Sequence, residues 1–331
     1  VNHNFSFRRR SVLAMAALGA LGTASALAQT ADTGTLLLVV PYPAGAGGDL
    51  VARTLQPSMG KALGRNMIVE NVGGVAGALG VQKVLAAPPN GQTMLLGSPS
   101  ELITTPLALK AARYRPQDLR LVSLSVTAPL VIFARPDLPA NNLDELLKLA
   151  KAPGAKPLSY GSAGKGSLFH LAGADFAHRL GLEMTHVPYR GAMPALQDLG
   201  GSVIDLAFFP LVPQFLQMIE AGRMKALAVM APKRSPALPK VQITSDLPQL
   251  KDFHFESWAG ILVSPAVSEE MATRISKAAN DGALSDDFKR LSAMAGSTPV
   301  GTLSLAEAGA FYKREIERYQ AIARSIQLEA E

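Results

Sequence analysis

Two loops of one design fix most of what this chain can fold into. The apolar run LLLVV at 36–40 ends in PYPAGAGGD, and the run LSY at 158–160 ends in GSAGKGS; each loop then feeds a segment with helical spacing. A strand that enters a helix through a short glycine-rich turn is the first half of a βαβ unit, because parallel neighbours need a crossover between them. The surrounding sequence keeps that alternation. After strand 36–40 the spacing predicts a helix over 49–63, with Val51, Leu55, Met59 and Leu63 on one face. A strand at 67–70, a helix over 75–87 stopped by PPNG, and a strand at 93–96 follow. Pro57 falls inside the first helix, where it removes one N–H and is expected to kink it.

A second series begins with a strand at 130–134 and a helix over 143–150, started near Asn142. It continues with strand 158–160, helix 168–180, strand 185–187, a loop and helix in PYRGAMPALQDL, the strand VIDLAFF, helix 214–220 and the strand MKALAVM. The pattern predicts an α/β protein with parallel sheets covered by helices. Its 331 residues exceed the ~250–300 over which one hydrophobic core keeps growing, so two lobes are expected. Ligands of such sheets sit beyond the carboxyl ends of the strands, where loops 41–49, 71–77 and 97–100 lie. A cleft between two lobes, each bringing one glycine loop, is the default site.

Composition removes several function classes. With no cysteine there is no disulfide framework, thiol catalysis or thiolate metal site. Residues 1–28 read as an export signal: Arg8, Arg9 and Arg10, an apolar stretch from Val12, and Ala26-Leu27-Ala28 before Gln29. The stretch is broken by Gly19, Gly22, Thr23 and Ser25, short of the ~20 apolar residues of a membrane span. Arg9-Arg10 before Ser11, Val12 and Leu13 loosely resembles a twin-arginine signal. Without this leader the formal charge of +6 falls to +3, and the remaining Lys and Arg are not interleaved with aromatics, so nucleic acid is not expected as a partner. No later apolar run approaches membrane length, and the mature product is expected to be soluble.

The loops fail as phosphate cradles. G-x-G-x-x-G aligned on Gly45 and Gly47 ends at Leu50, and the P-loop pattern at SYGSAGKGS has Ser159 for its first glycine and Gly166 where Ser or Thr is required. No serine has the flanking glycines of a nucleophile elbow, and His170, His178, His186 and His254 lack the spacing of a helical zinc pair. These histidines otherwise read as surface or hydrogen-bonded structural positions, with His170 set apart because it closes a glycine loop. What remains is anion capture by backbone: the first turn of a helix offers unsatisfied N–H groups and partial positive charge, and small residues before it let a carboxylate approach. Either loop alone serves equally well as a tight strand-to-helix turn; two facing copies favour binding. Asp49 has a structural role open to it, as N-cap or first-turn acid.

PYPAGAGGDLVARTL, VENVGGVAGALGVQKVLAAPPNGQTMLLG, YGSAGKGSLFHLAGADF, HVPYRGAMPALQDL and ALAVMAPKRSPALPKV, in this order, resemble the signatures of the tripartite tricarboxylate transporter substrate-binding family, also called the Bug family. SWAGILVSPAV and the helical tail fit as well. The resemblance covers nearly the whole chain after the leader. It implies the type II periplasmic-binding-protein fold: two α/β lobes joined by two crossing strands, with a ligand cleft between them. Lobe one would take 29–124 and 235–331, lobe two 125–234. The resemblance also implies an extracytoplasmic receptor without enzymatic activity or cofactor, a monomer, that holds a small carboxylate through backbone N–H groups, hydroxyls and water. Its partner would be a membrane permease of the tripartite tricarboxylate type, or a sensor protein using the same pocket.

Carried over by residue, the first pincer is Tyr42, Ala44, Gly45, Ala46, Gly48 and Asp49, and the second is Ser162, Ala163, Gly164, Gly166 and Ser167. Ser98 and Phe209 complete the expected site. The family usually has a carboxylate at about the position of Phe209, so this wall should be more apolar. Glu101, in the departing stretch Ser98-Pro99-Ser100-Glu101, would disfavour a highly charged anion or pair with an amino group. The competing expectation is an exported hydrolase of a carboxylated substrate, centred on Ser167 and His170. At the C-terminus, Tyr312, Ile316, Tyr319, Ala323 and Ile326 recur at helical spacing behind a Ser304/Glu307 capping box, a stripe expected to cover a lobe rather than recruit a partner.

Overall fold

The computed structural model describes residues 34–328 and Ala330. The expected export signal, 1–28, lies outside them. Strand β1 (Leu36–Val40) is apolar on both faces because both are covered: Leu36, Leu38 and Val40 join one core cluster while Val39 joins the other. It pairs in parallel with β2 (Met67–Asn71) and β3 (Thr93–Gly97). Helix Gly47–Leu63 lays Leu55, Met59 and Leu63 on the first face and runs through Pro57 without a break. Its exit is Gly64, in the left-handed conformation that closes the last turn.

The segment expected as one helix over 75–87 is two pieces. A 3-10 turn at Val75–Gly77 precedes helix Ala78–Ala86, because Val75 and Ala76 both take positive φ between Gly74 and Gly77.

The two lobes share one strand. β4 (Arg120–Ala134) is 15 residues long and pairs antiparallel with β10 (Glu256–Val263) from Arg120 to Pro129. From Leu130 to Ala134 it pairs instead with β7 (Leu206–Pro210) and β8 (Lys225–Val229). β5 (Leu158–Ser162) lies parallel between β6 (Met184–Pro188) and β7 in the second sheet, and β9 (Gln242–Ile243) extends it beyond β8. The handover occurs at Pro129, which has no N–H to leave unpaired, while Leu130 donates to Phe255 O at 2.9 Å. The return path is not one continuous strand. After Val229 the chain passes through β9 and two 3-10 turns, Thr244–Asp246 and Pro248–Leu250, before β10 resumes beside Pro129. β11 (Thr298–Pro299) then adds to β4 at Thr127 and Val126.

Helix Leu305–Ser325 closes the back of this junction. Tyr312, Ile316, Tyr319 and Ala323 are buried, and the Ser304/Glu307 capping box is formed. The helix is fastened by hydrogen bonds as well as area: Trp258 Nε1–H donates to Glu315 at 3.0 Å, Tyr312 O–H to Pro116 O at 2.9 Å and Tyr319 O–H to Glu256 O at 3.1 Å. Aromatic rings run from Phe176 in the second lobe through Phe253 and Phe255 to Tyr319, at centroid distances of 5.9, 5.2 and 6.1 Å. No helix among the described residues is long and apolar enough to cross a membrane.

Gly260, at a bulge of β10, leaves no room for a side chain against β4: a Cβ there would stand 2.4 Å from Ser123 O and 2.7 Å from Leu121 Cδ1. Gly260→Ala should cost about 2 kcal/mol or more by overpacking. Gly181→Ala meets nothing within 4 Å and should cost about 1 kcal/mol through its positive φ alone. Denaturant melts of the two variants check the order.

Candidate functional site

The first glycine loop ends as a helix start with nothing to donate to. Ala46 is the N-cap and offers no side-chain oxygen, so the N–H groups of Gly47 and Gly48 carry no acceptor among the described residues. Asp49, in the first turn, is spent on the loop itself: it accepts from Gly45 N–H at 2.9 Å, Asn71 Nδ2 at 3.0 Å and Arg53 Nε at 3.0 Å. These hydrogen bonds hold its carboxyl below its usual range although burial pushes the other way. Asp49 therefore shapes the loop from behind, and Tyr42, Ala44, Gly45, Ala46, Gly47 and Gly48 face a cleft of about 630 Å³.

Strand ends and loops of both sheets build the other walls. Ser98 and Ser100 follow β3, Val126 and Ala128 come from the shared strand β4, and Trp258 comes from its neighbour β10. Phe169, Phe209 and Phe215 line the side of the second lobe, with Phe169 and Phe209 in ring contact at 4.8 Å. A third strand-to-helix junction supplies Arg190, Gly191 and Met193, and Leu291 and Ser297 approach from the first lobe. Arg190 is the one charged side chain of this lining, and it has no ion-pair partner among the described residues. Sequence reasoning missed this junction as a site. The signal was there in HVPYRGAMPAL, which enters its helix through Gly191 just as the two glycine loops enter theirs.

The second glycine loop is placed differently from the first. Ala163 alone of its expected site residues lines the cleft; Ser162, Gly164, Gly166 and Ser167 do not. The loop is docked on a π-helical turn, Ser100–Thr104, of the first lobe. Thr104 O–H donates to Gly166 O at 2.6 Å, Leu168 N–H donates to Ser100 Oγ at 3.1 Å, and a Cβ on Gly166 would meet Ala108 at 2.9 Å. Ser167 is the N-cap of helix Leu168–Leu180: its Oγ accepts from His170 N–H at 3.2 Å and donates to Gly164 O at 2.8 Å. The His170 ring does not reach that hydroxyl as a base. Its Nδ1 accepts from Gly166 N–H at 3.3 Å, and the ring stacks on His186 at 4.1 Å.

Behind the loop, His186 Nε2 lies 2.7 Å from Ser162 Oγ, and its ring lies against Tyr160 at 5.0 Å. Burial, with Lys165 nearby, holds His170 down at about 4; burial and the neighbouring His170 hold His186 at about 3. On the first-lobe side, Glu101 is fully buried, accepting from Tyr42 O–H at 2.9 Å, Ser98 O–H at 2.7 Å and Ser98 N–H. Among the described residues no group of three His, Asp or Glu side chains is placed to hold a metal ion.

A histidine pair whose folded pKa values lie below the unfolded one gives stability that is fully present above about pH 6.5 and is lost as pH falls toward 4. His186→Phe keeps a ring in the stack and cannot take a proton. Thermal melts between pH 7 and 4 should show a shallower acid decline for this variant than for the wild type; equal slopes would remove the pair from the account.

The family model described as tripartite tricarboxylate transporter family receptor matches residues 51–328. A protein of Pseudomonas sp. strain P51, from the tcbD-tcbE intergenic region, is 31% identical over 325 residues, 97% of this chain and 96% of its own length. The solved periplasmic binding protein BugD is 29% identical with a TM-score of 0.80, covering 90% of this chain and 99% of its own. An R. palustris protein solved with adipate is 25% identical with a TM-score of 0.82, over 90% and 98%. Such matches over nearly the full length, together with two α/β lobes sharing a strand beside an apolar cleft, make this chain a member of the tripartite tricarboxylate transporter receptor family.

Proposed function

We propose that this protein is an extracytoplasmic receptor that captures a small carboxylate with a large apolar body and delivers it to a transporter of the tripartite tricarboxylate type. The observation that carries the reading is the pair of unpartnered N–H groups at Gly47 and Gly48, set at a helix N-terminus inside the cleft. Backbone donors at that position favour one carboxylate group without requiring a salt bridge. The remaining walls, Phe169, Phe209, Phe215, Trp258 and Met193, suit an apolar remainder, and a single Arg190 suits one negative charge better than three. The R. palustris relative was solved with a dicarboxylate, adipate, in keeping with an acid whose middle is apolar.

In this reading Tyr42, Ala44, Gly45, Ala46, Gly48 and Ser98 form the polar end of the site, and Phe209 the apolar wall. Ser162, Gly164, Gly166 and Ser167 act by fixing Ala163 at the cleft edge and by latching the two lobes through Ser100 and Thr104. Asp49 holds the first loop in shape. Differential affinity for the latched arrangement supplies the free energy of closure. A sensor would use the same pocket and differ only in partner, so the neighbouring genes separate the two. A hydrolase centred on Ser167 is disfavoured, because that hydroxyl caps a helix and no imidazole stands ready to take its proton.

Thermal shift with phenylacetate, hexanoate, adipate and citrate, followed by mass spectrometry of the recovered acid, tests this function. Phenylacetate and hexanoate should stabilise the protein and be recovered unchanged, and citrate should not; stabilisation by citrate alone, or turnover abolished by Ser167→Ala, would contradict it. Gly47→Leu places a side chain toward Val212, 3.9 Å from its Cβ, and should abolish binding with little change in melting temperature. Arg190→Gln should weaken phenylacetate by about tenfold, the scale of one charge-assisted hydrogen bond.

A further inference from the structure

Glu101 is a carboxyl in the wrong place for an anion receptor. Its residue is 0% exposed and is the second of the π-helical turn Ser100–Thr104, beside the cleft-lining Ser100. The side chain folds back on Ser98, three residues earlier, as the Glu of a Ser-x-x-Glu capping box does. Oε2 accepts from both Tyr42 O–H (2.9 Å) and Ser98 O–H (2.7 Å), while Oε1 takes the Ser98 N–H. Tyr42 and Ser98 line the cleft beside the first glycine loop. Two hydroxyls that ought to serve an incoming carboxylate thus point their protons away from it, toward a carboxylate already present.

Two like charges separated by one hydroxyl in a site withdrawn from water repel strongly. The titratable groups that face Glu101 offer no positive charge against this: they are Tyr42 from the first loop, Tyr114, whose O–H donates to Glu101 O, and, farther off, Tyr312 of the C-terminal helix. Gly77 closes the remaining side, its missing Cβ leaving room that Glu101 Cβ would otherwise contest at 2.6 Å.

Resting on the carboxylate-receptor reading above, we propose that Glu101 sets the charge specificity of the site: capture of one carboxylate anion is accompanied by uptake of one proton from solvent onto Glu101. The proton balance is simple. The ligand brings one negative charge and the solvent one proton, so the net charge of the cleft is unchanged. The new Oε2–H donates to Tyr42 Oη, and the Tyr42 O–H turns round to donate to the ligand, while Ser98 continues to hold Glu101 through its own O–H and N–H. A second carboxylate at the same end would find no second proton acceptor of this kind, which selects against polyanions. Glu101 acts as a positioning residue through Tyr42, not as a ligand contact.

Burial already pushes the Glu101 carboxyl up to about 7 in the unliganded protein, against the hydrogen bonds from Ser98 and Tyr42 that pull it down. A bound anion raises it further. Because the neutral form is the binding form, affinity is greatest below that value and falls as pH rises through it, by up to about tenfold per pH unit.

Calorimetric titration with phenylacetate from pH 6 to 9, in buffers of different ionisation heat, tests this in the wild type and in Glu101→Gln. The wild type should take up close to one proton per ligand at pH 8 and lose affinity by about tenfold per unit above it. Glu101→Gln should bind with pH-independent affinity and no proton uptake, and more tightly than the wild type at pH 9. A wild type without proton uptake, or a variant that keeps the wild-type pH slope, overturns the proposal. If phenylacetate binds neither protein, the ligand reading fails instead, and carbon-13 titration of the Glu101 carboxyl in the unliganded wild type decides for the residue. A midpoint near 7 supports the assignment; a midpoint near 4.5 overturns it.

Discussion

Everything in this molecule hangs on β4 belonging to two sheets at once. Residues Arg120 to Pro129 complete the first sheet and Leu130 to Ala134 the second, so the lobes are joined through one strand that is hydrogen-bonded into both. Pro129 marks the exchange, at a position where the strand passes from one partner set to the other and brings no N–H of its own. The cleft lies beside that exchange, with Val126 and Ala128 in its floor and Trp258 of β10 next to them. Thr104 and Ser100 tie the lobes together a second time through their hydrogen bonds to the 164–168 loop, and in the proposed function this latch is what a ligand biases.

The proposed site relies mainly on partial charges where many anion sites use formal ones, with Arg190 as the one formal charge in its lining. In the proposed function Gly47 and Gly48 supply the donors, and they lack another acceptor because Ala46 at the N-cap brings no capping oxygen. Glu101 adds a constraint of opposite sign below them. A chain selected only for stability would carry Ser or Asn at 46 and an apolar side chain at 101. Both departures lie within the same polar end of the cleft, where the proposed function needs them.

How far the sequence shows this depends on whether an element is decided locally. Strand 36–40 and the helix after it are legible because apolar periodicity and the glycine loop agree, and the boundaries shift by no more than two residues. The first two-thirds of β4 is not: Ser123, Ser125, Thr127 and Pro129 interrupt its apolar pattern, so only 130–134 reads as strand, yet Ser123 and Ser125 are fully buried. Their burial follows from neighbours contributed by β10 and helix Glu269–Ala283, as in the Ser123 hydroxyl bonded to Asn280 at 2.6 Å. The predicted helix at 75–87 is split by positive φ at Val75 and Ala76, which no local propensity announces. Likewise the second glycine loop is legible as a loop, but its docking depends on Ser100 and Thr104, some sixty residues away. Facing loops are a statement about both lobes together, and only Ala163 of the second set reaches the cleft.

In the proposed function Gly47 and Gly48 are the carboxylate donors, and amide chemical shifts report on them directly. On saturating the protein with phenylacetate, the proton resonances of these two amides should move downfield by more than any amide in 161–167. Unchanged resonances at Gly47 and Gly48, with the large shifts confined to the second loop or to Arg190, would contradict it.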